Sequence, residues 1–299
     1  MQEKIKSFDG TELNVFVWND VQSPKGAVVI SHGMAEHAER YARFASLLNA
    51  NGYVVYADDH RAHKNNPYGE RGKACIDTFE NTVKDMLFLV QKAEKETGFK
   101  PFLIGHSYGS FLSQRFTELY SATVKGVILS GTAYMKTGLL KVGKAVASLQ
   151  YHLVGGQKTG KLIDKLSFGA FNKGFEAQEQ EFAWLSRDKD EVQKYIDDPY
   201  CGYPLSIAFY LSFFRGICSM YGTAADSIKK DLPLMIAFGT DDPVSTKGKQ
   251  AKVLEDFYKA KGLTNVTYKP YDKSRHEILN EIVRDEVSAD FISFLDANN

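Results

Sequence analysis

FLIGHSYGS, residues 102–110, is an apolar run that stops at Gly105 and sets a single serine, Ser107, between two glycines. That serine is either a nucleophile or the polar punctuation of a tight turn. The G-x-S-x-G pattern alone does not decide, because at ordinary glycine and serine frequencies it occurs by chance in about one chain in ten of this length. The surroundings carry more information. A stretch with strand character ends at the motif and a helical pattern begins there, as a strand-to-helix nucleophile elbow requires. On so sharp a turn the serine backbone is strained, and side chains at positions 105 and 109 would strike the adjoining strand and helix. We therefore read Ser107 as the nucleophile, with Gly105 and Gly109 permitting its turn.

Outward from the elbow, short apolar runs alternate with longer amphipathic ones. TELNVFVW (11–18) alternates faces as a strand does, and GAVVIS (26–31) and YVVYAD (53–58) have the β-branched character of strands covered on both sides. EHAERYARFASLLNANG (36–52) carries Tyr41, Phe44, Leu47 and Leu48 at helical spacing and stops at Gly52. Residues 78–98 repeat that stripe, PFLIGHS follows as a strand, a helix runs from the elbow through Tyr120, and VKGVILS (124–130) is the next strand. The alternation breaks near residue 133. It resumes with the strands PLMIAFG (233–239) and NVTYKPY (265–271), a helix near 246–262 between them, and another from Glu277 to Leu295. The expected fold is α/β, with a mostly parallel central sheet and helices on both faces. Residues 1–132 and 229–299 would form the core domain. Residues 133–228 would form an inserted helical cap over the carboxyl edge of the sheet, where open α/β sheets bind ligands.

A serine hydroxyl needs a histidine to take its proton, and the histidine needs a carboxylate to orient it. Around an elbow of this kind the acid and the histidine follow in chain order, on loops after later strands. PLMIAFG runs into TDDPV and NVTYKPY into DKSRHEILNE; His276 is the only histidine after residue 152. His276 is therefore the candidate base. Asp241 and Asp242 adjoin, and the proline after Asp242 pushes that residue toward an extended conformation on the loop, so Asp242 is chosen as the acid. Either aspartate also suits a turn in which its side chain binds local amides. The oxyanion of an acyl-transfer reaction needs backbone donors. By position these are the amide of Tyr108, after the nucleophile, and that of Met34, in the HGM that follows GAVVIS, with His32 and Gly33 shaping the loop.

Composition narrows the partners. Among 299 residues, lysine plus arginine and aspartate plus glutamate both number 37, so no net field favours nucleic acid, an anionic membrane or an acidic partner. A neutral small molecule fits best. Cys75, Cys201 and Cys218 are scattered and odd in number, with no zinc-ligand spacing; they read as reduced thiols, buried rather than reactive. His60 and His63 with Asp58 and Asp59 suggest a metal only weakly, and none is expected. MQEKIKSFDGTELNVF has no secretion-signal pattern, which points to the cytoplasm. PLSIAFYLSFF (204–214) is too short to span a bilayer and must be buried or interfacial, where it would touch a membrane or micelle transiently.

SHGMAEHAERY, GHSYGS, GTDDPVS and RHEILNE, in this order, resemble the monoacylglycerol lipase and lysophospholipase branch of the α/β-hydrolases. The likeness is strongest over residues 26–131 and 233–297; in the cap only DPYCGYPLS shares it. The resemblance implies the α/β-hydrolase fold, Ser107 as nucleophile, Asp242 as acid, His276 as base, and the amides of Met34 and Tyr108 as the oxyanion hole, with no cofactor. It also implies cleavage of lipophilic monoesters through an acyl-serine intermediate. Two loops depart from the family pattern. Ala35 stands where the family usually has glycine, and Ala62 and Lys64 replace the two glycines of a GHG loop. Apolar cap residues, among them Tyr195, Tyr200, Tyr203, Phe209, Tyr210, Phe213, Phe214 and Met220, either line an acyl tunnel or pack the cap itself. An amidase or aminopeptidase of the same fold, and a hydrolase-like binding protein without turnover, are the alternatives.

Overall fold

The computed structural model describes residues 1–65, 70–135, 138–178 and 180–299. Its strands are β1 (Gln2–Lys6), β2 (Glu12–Trp18), β3 (Gly26–Ser31), β4 (Tyr53–Asp58), β5 (Phe102–His106), β6 (Val127–Ser130), β7 (Leu234–Gly239) and β8 (Val266–Tyr271). They form one sheet in the order β1-β2-β4-β3-β5-β6-β7-β8. β2 runs antiparallel to β1 and β4, and every pair from β4 to β8 is parallel. The parallel strands β3 to β7 are buried throughout. That is why they read as continuous apolar runs without alternation.

The helices are α1 (Ala42–Ala50), α2 (Thr78–Thr97), α3 (Tyr108–Tyr120), α4 (Gly138–Val154), α5 (Lys161–Phe168), α6 (Lys189–Asp197), α7 (Ile207–Ser219), α8 (Lys249–Ala260) and α9 (Arg284–Ala297). Phe44 and Leu48 of α1 join Phe291 and Leu295 of α9 in the core on one face of the sheet. Phe79 and Met86 of α2, Leu112 and Phe116 of α3, and Leu254 and Tyr258 of α8 build the core on the other. Each fully buried side chain of this size contributes about 1.5–3 kcal/mol. The loops after β3, β5, β7 and β8 meet at the sheet's carboxyl edge, where residues of all four line one cavity. β3 lies between β4 and β5, so the chain reverses direction across the sheet there, and a crevice opens where ligands bind in such sheets.

Three sequence readings change. β1 escapes the pattern because it is an edge strand with polar faces, Ile5 alone among charged and amide neighbours. The final helix starts at Arg284, not Glu277. The amides of His276 and Glu277 donate instead to the carbonyls of Trp184 (3.3 Å) and Leu185 (2.7 Å), and residues 278–280 make a single 3₁₀ turn. Residues 36–52 likewise open with a 3₁₀ turn at Ala38–Tyr41 before α1.

The apolar segment 204–214 enters α7, capped by Ser206 and buried from Ile207 through Phe214. It is packing and not a surface; Ser212 Oγ accepts the Phe79 amide at 2.8 Å and locks α7 to the start of α2. Exposed apolar residues lie instead on α4 and α5, at Val142, Leu149, Leu153, Leu162 and Leu166. Of the cysteines, Cys201 is buried as expected but Cys218 is exposed. Among the described residues no helix is long and apolar enough to cross a membrane.

Candidate active site

Ser107 follows β5 and precedes α3 with φ 51° and ψ −116°, a conformation that costs a non-glycine residue of order 1–3 kcal/mol. The turn is over-determined. The Ser107 amide donates to Ser130 O (3.0 Å), and its carbonyl accepts from the amides of Ser110 (2.8 Å) and Phe111 (3.2 Å) and from Ser110 Oγ (2.6 Å). A methyl group at Gly109 would run into the carbonyls of Ser31 and His32, and one at Gly105 into Ser113 and Gly109. The elbow therefore needs both glycines.

Asp242 follows β7 and His276 follows β8. His276 Nδ1 lies 3.0 Å from Asp242 Oδ1, which also accepts the Val244 amide at 2.8 Å. Asp242 is the aspartate whose carboxylate reaches the imidazole, whereas the Asp241 amide donates to Ser274 O at 2.9 Å. A carboxylate accepts only, so Nδ1 carries the proton and Nε2 offers a lone pair. Nε2 and Asp242 Oδ2 are buried, and neither has a hydrogen-bond partner among the described residues. Burial disfavours the imidazolium, but the charge of Asp242, its hydrogen bond and the charges of Glu277 and Glu36 outweigh this and raise the His276 pKa. Trp184 packs on the ring at 5.0 Å.

Met34 stands on the loop after β3, and Tyr108 opens α3, where the helix dipole adds positive potential. His32 is a fully buried, neutral support. Its Nδ1 donates to Gly33 O (2.8 Å) and its Nε2 accepts the His60 amide (2.9 Å); burial, then His60 and His63, hold its pKa well down. Ala35 (φ 54°) and Ala62 (φ 73°) keep left-handed backbones at positions where the family pattern has glycine, whereas Lys64 stays outside that region. The loop after β4 is bonded internally. His60 contacts Asp58 (3.1 Å) and Ser31 (2.9 Å), His63 Nδ1 contacts Arg61 O (3.0 Å), and Arg61 Nε donates to Asp85 at 2.6 Å. Asp59 accepts from Asn14, Asn65 and the Ala38 amide, so these four groups do not converge on one point.

Sequence reasoning assigned no role to Glu36, Arg40 and Glu277, although all three stand in the quoted motifs. Glu36 accepts the Gly33 amide at 2.5 Å and the Tyr41 hydroxyl at 2.9 Å. Arg40 bonds Glu36 and forks onto Glu277 at 2.8 and 2.7 Å. The loop carrying Met34 is thus tied to the residue beside His276. Charges at helical spacing read as a solvated face, so only the fold reveals that these are buried.

Met34, Ser107, Tyr108 and His276 share a cavity of about 730 Å³. Phe111, Leu140, Ile163, Phe213 and Phe214 line its apolar part, together with Tyr195, Tyr203 and Tyr210. Tyr200 does not line it and is exposed, and Phe209 and Met220 pack in the core. Among the described residues the lining contains no lysine or arginine, whereas Glu36, Asp164, Glu181 and Glu277 belong to it.

A strained serine between β5 and α3 and a histidine–aspartate pair after β8 and β7, on a sheet of this order, define an α/β-hydrolase. The chain belongs to the serine aminopeptidase S33 family, whose profile matches residues 22–283. It is 28% identical to a monoacylglycerol lipase of Mycolicibacterium smegmatis over 96% of this chain and 95% of that one. A carboxyl esterase from Bacillus coagulans, solved with glycerol, superposes with a TM-score of 0.88 at 25% identity, covering 100% of this chain and 98% of that one. A monoacylglycerol lipase of Paleococcus ferrophilus superposes with a TM-score of 0.72 at 26% identity, over 96% and 100%.

Proposed function

We propose that this protein is a cytoplasmic serine hydrolase that cleaves lipophilic carboxylic monoesters, such as monoacylglycerols or lysophospholipids, through an acyl-serine intermediate. The observation that carries the reading is His276: its Nδ1 is held on Asp242 at 3.0 Å while its buried Nε2 has no hydrogen-bond partner among the described residues, in the cavity that Ser107 also lines. In this reading His276 takes the Ser107 proton as the hydroxyl attacks the ester carbonyl, and the amides of Met34 and Tyr108 receive the oxyanion. The imidazolium then protonates the leaving alcohol, and water activated by the same base releases the acid. The odd, scattered cysteines suit the reducing compartment.

Residues 1–132 and 229–299 act as the core domain and residues 133–228 as the cap. Residues 133–228 supply most of the apolar lining, which supports an acyl chain as the buried part of the substrate. The lining's carboxylates, and the absence of lysine and arginine from it among the described residues, favour a neutral head group over an anionic one. Transient contact with a lipid surface is assigned to α4 and α5. Val142 and Leu166 belong both to their exposed apolar set and to the cavity lining, beside the exposed Lys141 and Lys165.

The test is covalent labelling by a fluorophosphonate, with hydrolysis rates for p-nitrophenyl esters and monoacylglycerols of increasing length. Labelling and turnover should both fall by several orders of magnitude in Ser107→Ala. Activity retained in that variant excludes the mechanism. An aminopeptidase, which the family description favours, would instead turn over aminoacyl amides faster than esters, and a mere binding protein would label poorly.

A further inference from the structure

At the seam between the segment that joins β6 to β7 and the loop after β3, His37 Nε2 lies 2.8 Å from Asp198 Oδ2. Donor atoms of His37, Asp198 and Cys201 all lie within 4.8 Å of one another, with His37 and Cys201 buried and Asp198 partly so. An imidazole, a carboxylate and a thiol from segments 161 residues apart thus converge on one point. We infer that His37, Asp198 and Cys201 form a binding site for a divalent cation of the zinc class, joining the cap turn to the loop that carries Met34.

Ligand type selects the ion. Mixed nitrogen, oxygen and sulfur donors suit zinc, and a thiolate excludes calcium and magnesium, which take oxygen ligands. Zinc bonds of about 2.0 Å to nitrogen and oxygen and about 2.3 Å to sulfur place neighbouring ligands about 3.3–3.8 Å apart in a tetrahedron. The His37–Asp198 pair opens by about half an ångström to reach this, and the thiol closes by about 1 Å or less. Asp198 and Cys201 share one turn, in which the Cys201 amide donates to Asp198 O at 3.0 Å, so they move as a unit. Asp198 is partly exposed, and a water would complete a tetrahedral set.

Carboxylates crowd the site. Asp198 and Glu39 bracket His37 and Lys64 in one set of contacts, and Glu36 and Glu277 share the single guanidinium of Arg40 in another, while Arg71 donates to Pro199 O beside Asp198. Burial pushes the Cys201 thiol up, against the lowering effect of Arg40, so without metal it holds its proton. On binding, that proton passes to solvent and the sulfur coordinates as thiolate. His37, whose Nε2–H donates to Asp198 in the structure, shifts its single proton to Nδ1 and gives the Nε2 lone pair to the metal. Lys64 Nζ, 3.5 Å from Nδ1 and paired with Glu39 at 2.6 Å, would then face a second donor and must swing outward. Lys64 is therefore a built-in competitor. The site also grips the oxyanion loop, because the amide of Gly202 and the hydroxyl of Tyr195 both donate to Ala35 O, at 3.0 and 3.1 Å.

The experiment uses the full chain with Cys75→Ser and Cys218→Ser, so that Cys201 is the one thiol. Titration with Cd²⁺ should give one equivalent bound and an ultraviolet thiolate-to-cadmium band, displaced by Zn²⁺. Adding Cys201→Ser should abolish the band, and Asp198→Asn or His37→Gln should weaken binding by more than about tenfold. Lys64→Met should tighten it. Circular dichroism melting identifies any variant that fails to fold, and Asp198→Asn, which keeps a hydrogen-bond partner for His37, then carries the test. Absence of stoichiometric binding in the two-serine background, or binding unchanged by Cys201→Ser and Asp198→Asn, overturns the site. Metal binding is read without substrate, so this result stands apart from the ester-hydrolase reading.

Discussion

The guanidinium of Arg40 forks onto the carboxylate of Glu277 with hydrogen bonds of 2.8 and 2.7 Å, and through it the loop carrying Met34 is coupled to the loop carrying His276. All three members of the network are largely buried, and removing one partner from such a set leaves a charge uncompensated. Arg40→Met should lower stability by about 3–5 kcal/mol in denaturant melts. In whatever fraction folds, ester turnover should fall by up to about 100-fold in kcat with a smaller change in KM, since the Met34 loop and His276 lose their mutual placement. Arg40→Lys, which keeps the charge but not the fork, should restore stability more than kcat. Equal recovery of both would mark the network as scaffolding alone.

Acid stability should carry the signature of the same pair. Despite burial, which works the other way, Arg40 holds the Glu277 pKa down to about 2 from an unfolded value of 4.5. A depressed carboxylate contributes stability that is present above pH 4.5 and is lost as pH falls toward 2; here that is about 3 kcal/mol. Urea melts between pH 5 and pH 2.5 should show this loss. In Arg40→Met the Glu277 share of it should disappear.

The pH dependence of kcat/KM reports the free base. His276 must be neutral to accept a proton, and its pKa lies above the ordinary 6.5, so the acid limb of the profile should have its midpoint above that value. Asp242→Asn removes the charge that most favours the imidazolium. The limb should then move to lower pH while the plateau drops by about 10⁴-fold, because the wrong tautomer faces the serine. An acid midpoint below 6 in the native protein would contradict the electrostatics described.

Ala35 holds a left-handed backbone at φ 54°, where an L-residue is disfavoured by about 1–2 kcal/mol and glycine is not. Glycine loses about 0.5–1 kcal/mol of that gain to its greater freedom when unfolded. Ala35→Gly should therefore stabilise the protein by up to about 1 kcal/mol, measured by thermal melting. Destabilisation would show that the Ala35 methyl group packs usefully at the seam.

The charge of the cavity should sort substrates by head group. With carboxylates in the lining and no lysine or arginine among the described lining residues, monoacylglycerol should be cleaved at least about tenfold faster than a lysophosphatidate of the same acyl chain. Competition between the two in one assay removes differences in enzyme amount. Preference for the anionic lipid would count against the neutral-head-group reading.

Much of this molecule was legible in its sequence, because the decisive signals are local. Buried parallel strands must be continuously apolar, so GAVVIS, YVVYAD, FLIGH and LMIAFG announced themselves and fixed the alternation. The elbow at Ser107 demands glycines two residues to either side, and with one histidine beyond residue 152 the candidate base had no rival. What the sequence left open depends on which distant atoms meet. The proline after Asp242 favoured that residue over Asp241, but either could have served a turn until β7 and β8 lay side by side and the Asp242 carboxylate met His276. Glu36, Arg40 and Glu277 look like surface charges until two loops fold over them, and segment 204–214 looks like a possible interface until α2 covers it. His37 and Cys201 carry no metal spacing along the chain, and only the contact of the turn at 198–201 with the loop after β3 brings them together. Backbone conformation and hydrophobic period are written in neighbouring residues. Burial of charge and convergence of side chains are properties of the packed molecule, and those were decided by the tertiary structure.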